Sequence, residues 1–260
     1  MKLLIQKIIR RISTFLGIKS YIEKDYSLNR IIKHYLIKNN QNIVVDVGAN
    51  VGQSVSRFMK LIKIQEMHVF EPQQDAMNEL IKNYGNDERI KINQKALGAK
   101  KDTLMLNKTQ KSATSTFNAY KTDSSFVKTK MKIHNVSNPD GLILNKVKVE
   151  VDTLDNYICS NNLKRVDLLK IDVEGFEELV LEGCIGALSN GLVKVIEIEL
   201  TLDDRFGDRK NFFNIERLLV PNGYILSGFN DRYSIIERPI FQVDLLYIHN
   251  SIIKENNPKD

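Results

Sequence analysis

The stretch Val44-Val45-Asp46-Val47-Gly48-Ala49-Asn50-Val51-Gly52 decides the fold. It is an apolar strand that ends in an acid and passes through a turn of small residues into a helical pattern. Such a turn needs residues without bulk so that the backbone can approach a ligand closely. Its place at the carboxyl edge of a parallel sheet is where these folds bind cofactors. A dinucleotide fingerprint would put glycines at positions 48, 50 and 53. Asn50 and Gln53 stand at the last two, which disfavours a nicotinamide-dependent oxidoreductase. A plain tight connection between strand and helix is the alternative reading of the turn.

Outward from this stretch, short apolar runs alternate with helical patterns. Strands are expected at Ile43 to Val47, Met67 to Glu71 and Ile90 to Ala96, with helices at Val51 to Leu61 and Gln73 to Tyr84. The alternation resumes with a helix near Leu154 to Ser160, a strand at Val166 to Ile171, a helix at Phe176 to Leu188 and a strand at Val193 to Leu200. A helix over Asn214 to Leu219 is stopped by Pro221, Asn222 and Gly223. Tyr224 to Phe229 and Val243 to His249 then close the sheet as an antiparallel edge hairpin, with Tyr233 to Ile236 as a short strand between them. This is a doubly wound, mostly parallel α/β sheet. The rhythm lapses over residues 99–150: Lys101 to Leu106 and Lys146 to Val151 look strand-like, but Lys, Ser, Thr and Asn dominate between them and Asn138-Pro139-Asp140-Gly141 signals a turn. A lapse that long marks a functional cover, so this insertion is expected to face the substrate.

A chain of 260 residues fits one main domain with appendages. The divisions are a helical extension over 1–40, the main domain over 41–250 and a polar tail over 251–260. The net charge of +6 is carried by Lys and Arg spread along the chain with no dense run, which argues against a nucleic-acid partner. Cys159 and Cys184 form no metal or redox spacing and fit a reducing, cytoplasmic setting. No apolar run approaches the length needed to span a bilayer. Near the start, Leu4, Ile5, Ile8, Ile9, Ile12, Phe15 and Leu16 recur at helical spacing with Lys7, Arg10 and Arg11 between them. Charges interrupt this stretch too often for a secretory signal. A basic amphipathic helix of this kind either docks on the domain or a second subunit, or rests on the anionic inner face of a membrane. A second amphipathic helix follows over Ser27 to Lys38.

Four strand ends carry the chemistry. Asp46 offers a carboxylate suited to the positive sulfonium of S-adenosylmethionine, which a pyrophosphate would not call for. Glu71, in Phe70-Glu71-Pro72, stands where an acid can take the two ribose hydroxyls of an adenosine cofactor. Ala96-Leu97-Gly98 is placed for backbone contacts to adenine. The strand Leu168-Leu169-Lys170-Ile171 delivers Asp172 to the same edge, beside the first strand and near a transferable methyl group. Asp172 is therefore expected to be the catalytic base or the orienter of the acceptor, or else a cofactor contact. Glu199 is second choice as base, and His134 in the insertion is a third candidate. Glu174 and Glu177 suit the helix start that follows Asp172, where negative charge is favoured. Asp172, Glu174, Glu199 and Asp203 could ligate a divalent ion, but no spacing demands a metal.

These residues resemble the FkbM-type methyltransferases. The likeness is carried by Asp46 to Gly52, Phe70-Glu71-Pro72, Ala96-Leu97-Gly98, Val151-Asp152-Thr153-Leu154-Asp155 and above all Leu169 to Glu177, and it covers about residues 40 to 250. The resemblance implies a seven-stranded class I methyltransferase sheet, S-adenosyl-L-methionine as cofactor, and O-methylation of sugars, polysaccharide precursors or small hydroxylated metabolites. Asp46, Gly48, Asn50, Gly52 and Glu71 would then hold the cofactor, with Ser54 where the family has a small hydroxyl residue. Ser112 to Thr116 matches a serine-rich family stretch more loosely. The first helix lies outside the likeness, and a non-catalytic module docking on a partner or a membrane is the reading from a different class.

Overall fold

The computed structural model describes residues 26–206, 212–232 and 242–256. The basic helix expected near residues 4–16, the short strand at 233–236 and the end of the C-terminal tail lie outside the described residues. Among the described residues, no helix is long and apolar enough to cross a membrane.

The main sheet forms from β1 (Asn42–Val47), β2 (Ile64–Phe70), β3 (Ile90–Asn93), β7 (Val166–Ile171), β8 (Val193–Thr201), β9 (Tyr224–Arg232) and β10 (Gln242–His249). Its strand order is β3-β2-β1-β7-β8-β10-β9, with β10 antiparallel to both neighbours and the other pairs parallel. All six residues of β1 and of β7 are buried, as expected for central parallel strands covered on both faces. Helices α1 (Tyr26–Leu36), α2 (Gln53–Leu61) and α3 (Gln74–Tyr84) cover one face. Leu28, Ile32, Val55, Phe58 and Leu80 there meet Val44, Leu168, Val195 and Leu246 of the strands. The alternate strand residues, Val45, Leu169 and Ile196, meet the helices of the other face: α5 (Leu154–Ser160), α6 (Glu177–Glu182), α7 (Ile185–Ser189) and α8 (Phe212–Leu219). The helix α9 (Asn250–Asn256) follows β10. The chain reverses its direction of sheet growth between β1 and β7. That switch point opens a crevice at the carboxyl ends of both strands.

Three expectations need correction. The strand expected over Ile90 to Ala96 divides: β3 stops at Asn93, and β4 (Ala96–Leu97) leaves for a second sheet with β5 (Asp102–Lys108) and β6 (Asn145–Asp152), in the order β4-β6-β5. The helix expected over Phe176 to Leu188 breaks at Gly183 and Cys184, where a Cβ on Gly183 would lie 1.9 Å from the Gly98 carbonyl oxygen. Asp155 caps the new start by accepting from the backbone of Gly186 and Ala187 at 2.7 and 2.8 Å. The insertion has the two strands expected at its ends, but the stretch between them, read as irregular, holds a helix. Its strands β5 and β6 pair antiparallel and enclose a small core of Ala96, Leu106, Val149 and Val151. Between them runs α4 (Ser125–His134), whose first turn is capped by Ser124. The turn signal at Asn138 to Gly141 coincides with a single 3₁₀ turn, in which the Asn138 side chain accepts from the Gly141 N–H.

Candidate active site

The turn after β1 is shaped by left-handed backbone at Gly48, Asn50 and Gly52, with φ of 85°, 47° and 94°. A Cβ on Gly48 would sit 1.9 Å from the Asp172 carbonyl oxygen, so glycine is what lets the exits of β1 and β7 touch. The Asp172 N–H donates to the Val47 carbonyl at 3.0 Å, which fixes Asp172 at the switch point. Glu71, buried at the end of β2, joins the turn to the insertion. One of its oxygens accepts from the Asn50 N–H at 3.0 Å and the other from the Gln73 N–H at 2.8 Å. Ser112 donates to the Asn50 side chain at 2.7 Å, and the Gln73 amide donates to the Ser112 carbonyl at 2.9 Å. Burial raises the Glu71 pKa above the usual carboxylate value, and these backbone donors oppose the rise.

These elements enclose an open cavity of about 550 Å³. Gly48, Asn50, Ser54, Glu71, Ala96 and Asp172 all line it, as does Glu199. Glu199 accepts from the Gln242 amide. Three residues expected at the site do not front the cavity. Asp46 is wholly buried below the turn, where Ser54 donates to its carboxylate, so Ser54 presents the wall and Asp46 stands behind it. Gly52 faces α3: a Cβ there would lie 2.5 Å from the Tyr84 ring, and its carbonyl accepts from the Tyr84 hydroxyl at 3.2 Å. His134 is exposed in the last turn of α4, because Val127 turns the helix's apolar side inward and leaves His134 in solvent.

A charged row under the cavity was missed in the sequence. Two residues beyond Val44, Leu168 and Val195, on the same face of the sheet, stand Asp46, Lys170 and Glu197, paired in register across β1, β7 and β8. The Lys170 ammonium donates to Asp172 Oδ2 at 2.8 Å, and Arg57 of α2 reaches Glu197 at 2.6 Å. Burial pulls the Lys170 pKa down, but the carboxylates of Asp172, Asp46 and Glu197 reverse this and leave it above the ordinary lysine value. Asp46 is raised by burial, with Lys170 opposing. A signal existed for Lys170. A lysine inside an otherwise apolar buried strand must find a carboxylate, and Asp172 is two residues on along the same face.

The loop after β7 and the first residue of α6 carry two further shifted acids. Glu174, with φ of 51°, is pushed to about 7 by burial, against the pull of Arg205, whose guanidinium lies 3.5 Å away. Glu177, also raised by burial to about 7, accepts from the Gly175 and Val173 N–H groups at 2.9 and 3.3 Å and so caps the turn into α6. Asp172, Glu174 and Glu199 each bring a carboxylate oxygen to within 4.8 Å of the others, a donor set able to take a hard cation. Lys170 and Arg205 already place positive charge on two of the three. Asp203, the fourth sequence candidate, is instead bound to Arg205 at 2.7 Å.

The sequence model of the methyltransferase FkbM domain matches residues 46–226. The chain belongs to the FkbM methyltransferase family. The family takes its methyl group from S-adenosylmethionine. No curated protein matches the chain. Among solved structures it is similar to a methyltransferase FkbM from Methylobacillus flagellatus KT, at 15% identity and a TM-score of 0.46 over 79% of this chain and 44% of that one. The chain thus spans less than half the length of that relative. It is also similar to a putative rRNA methylase from Clostridium thermocellum, at 11% identity and a TM-score of 0.48, over 86% of this chain and 96% of that one. A third is the magnesium protoporphyrin IX methyltransferase of Synechocystis PCC 6803 with bound SAM, at 8% identity and a TM-score of 0.44, over 86% and 77%.

Proposed function

We propose that this FkbM-family chain is an O-methyltransferase acting on a hydroxyl of a sugar, polysaccharide precursor or small hydroxylated metabolite, with Asp172 receiving the acceptor's proton. The observation that carries the reading is the placement of Asp172 at the switch point. Lys170 holds its Oδ2 at 2.8 Å, while its side chain stays partly exposed to the cavity.

The donor set fits S-adenosylmethionine. Each Glu71 oxygen has one backbone donor and keeps a second acceptor direction, so the carboxylate suits the pair of ribose hydroxyls. Ala96 and Leu97 offer an apolar wall for adenine, while Gly48 and Asn50 bring the backbone close. Asp46 acts from behind, by fixing Ser54 and by setting negative charge under the site. Bound there, the cofactor supplies a methyl group on positively charged sulfur. The chain's own task is to hold the acceptor oxygen in line with that group, and positioning of this kind supplies roughly 7–11 kcal/mol. Proton removal adds typically about 10²–10⁴-fold. Lys170 occupies Oδ2 of Asp172 and leaves Oδ1 to orient the hydroxyl and accept its proton.

The test is Asp172→Asn. Its kcat/KM on a true acceptor should fall about 10²–10⁴-fold, while S-adenosylhomocysteine binds within a few-fold of wild type. Unchanged turnover would remove Asp172 from the proton transfer.

A further inference from the structure

Arg57 lines the cavity, yet neither the grip on the ribose nor the proton transfer employs it. It stands four residues after Gln53 on α2, so the two share a helix face, and Gln53 lines the cavity as well. The guanidinium is fixed by three contacts. It donates to the buried Glu197 at 2.6 Å, lies 4.3 Å from the centroid of the Phe58 ring and reaches the Asn29 side-chain oxygen at 3.4 Å. Among the described residues these contacts use two of its five N–H donors, and 26% of the side chain stays exposed. A planar fork with donors to spare is suited to a carboxylate, which it can take through two parallel hydrogen bonds.

Glu71 ends β2 and Glu197 belongs to β8, with β1 and β7 between them, so the bond to Glu197 places Arg57 across the switch point from the ribose acid. Among the described residues, the other cations on the cavity wall are Lys111 and Lys170. Lys170 is buried and bonded to Asp172. Lys111 adjoins Ser112, which bonds to Asn50 and Gln73 and so stands on the Glu71 side. Arg57 is therefore the cation that this half of the cavity offers to a ligand. Glu199, two residues beyond Glu197 on the same face of β8, lines the cavity there too. A guanidinium and an acid on one half of a cavity match the opposite charges of an amino acid, and S-adenosylmethionine ends in one. We propose that Arg57 binds the carboxylate at the amino-acid end of the cofactor. The proposal rests on the cofactor lying in this crevice and names the residue that holds its second end. With the ribose on Glu71 and the carboxylate on Arg57, the sulfur between them is held at Asp172, and a nucleoside lacking the amino acid is disfavoured.

The experiment is calorimetric titration of the full chain with S-adenosylhomocysteine, with its decarboxylated analogue, and with methylthioadenosine, which lacks the whole amino acid. Wild type should bind S-adenosylhomocysteine about tenfold or more tightly than the decarboxylated analogue. In Arg57→Met the two should bind within about twofold of each other, while methylthioadenosine binds as it does to wild type. Because Arg57→Met strands the buried Glu197, Arg57→Met/Glu197→Gln serves as a second variant and should level the two affinities in the same way. Equal binding of S-adenosylhomocysteine and its decarboxylated analogue to wild type, or a preference for the carboxylate that survives in both variants, would overturn the assignment. So would a loss of methylthioadenosine binding in both variants, since the arginine would then support the pocket as a whole. A wild-type chain that takes none of the three compounds defeats the placement of the cofactor in this crevice, and the role of Arg57 with it. Uptake of all three without discrimination defeats the role of Arg57 alone.

Discussion

Glu177 shows how a single buried acid ties the site to stability. Its pKa is raised from 4.5 to about 7 by burial, so the folded state holds its proton over a range where the unfolded chain has released it. Its contribution is therefore fully present below about pH 4.5 and is lost as pH rises through about 7, on the order of 1–3 kcal/mol. Glu177→Gln keeps an oxygen to accept from the Gly175 N–H and cannot ionise. Denaturant unfolding at a series of pH values should show wild type losing more stability than the variant across that window, and parallel curves would refute the assignment. At this scale the sequence was legible where a residue type has one plausible use at a strand end, and the structure brings Glu71 and Asp172 to the cavity. It was less legible where a side chain's depth matters. Asp46 and Ser54 both follow from the first turn, yet only the fold shows that Ser54 fronts the cavity and Asp46 supports it from below. His134 could not be placed because one exposed helical turn removes it from the site.

The insertion is the element on which the site's roof depends. Its segment after β5 meets the first turn through Ser112 and meets the loop after β7 through Thr116, which donates to the Glu174 carbonyl at 2.7 Å. Leu106 is buried in its core at 3% exposure. Leu106→Ala should cost roughly 2–5 kcal/mol, spent locally if the insertion opens as a unit. Amide hydrogen exchange should then rise in β5 and β6 and stay at wild-type rates in β1 and β7. A uniform rise across both sheets would mean that roof and main sheet unfold together. The two strands of this element were legible, and what lies between them was not. Lys146 and Lys148 alternate with Val147 and Val149, which marks a strand, while α4 buries little more than Val127 and resembles a loop in composition. The break between α6 and α7 escaped notice for another reason. It follows from the close approach of Gly183 to Gly98, a contact 85 residues apart in the chain that no local pattern encodes.

Across the whole molecule, the parallel rhythm and the closing hairpin were legible because central strands must be apolar on both faces, and the order β3-β2-β1-β7-β8-β10-β9 agrees with that reading. The acceptor was not legible, since the cavity that would have to read it is walled by the insertion, the loop after β7 and β10, which meet only in the folded chain. The crevice joins the two halves of the sheet, with Glu71 from one half and Asp172 from the other, so a ligand lying across it should stabilise the domain as a unit. Binding to the folded state alone adds about 2.7 kcal/mol at a ligand concentration of 100 Kd. At roughly 2–4 °C per kcal/mol for a domain of this size, S-adenosylhomocysteine should raise Tm by about 5–10 °C. A nicotinamide dinucleotide should give no shift, because Asn50 and Gln53 replace the glycines its pyrophosphate needs. Glu71→Ala should lower Tm by itself, since it releases the Asn50 and Gln73 backbone, and the quantity to compare is the ligand-induced shift, which should largely vanish. A full shift in Glu71→Ala would mean that the nucleoside is gripped elsewhere, and a shift with the dinucleotide alone would overturn the assignment of this crevice to the sulfonium cofactor.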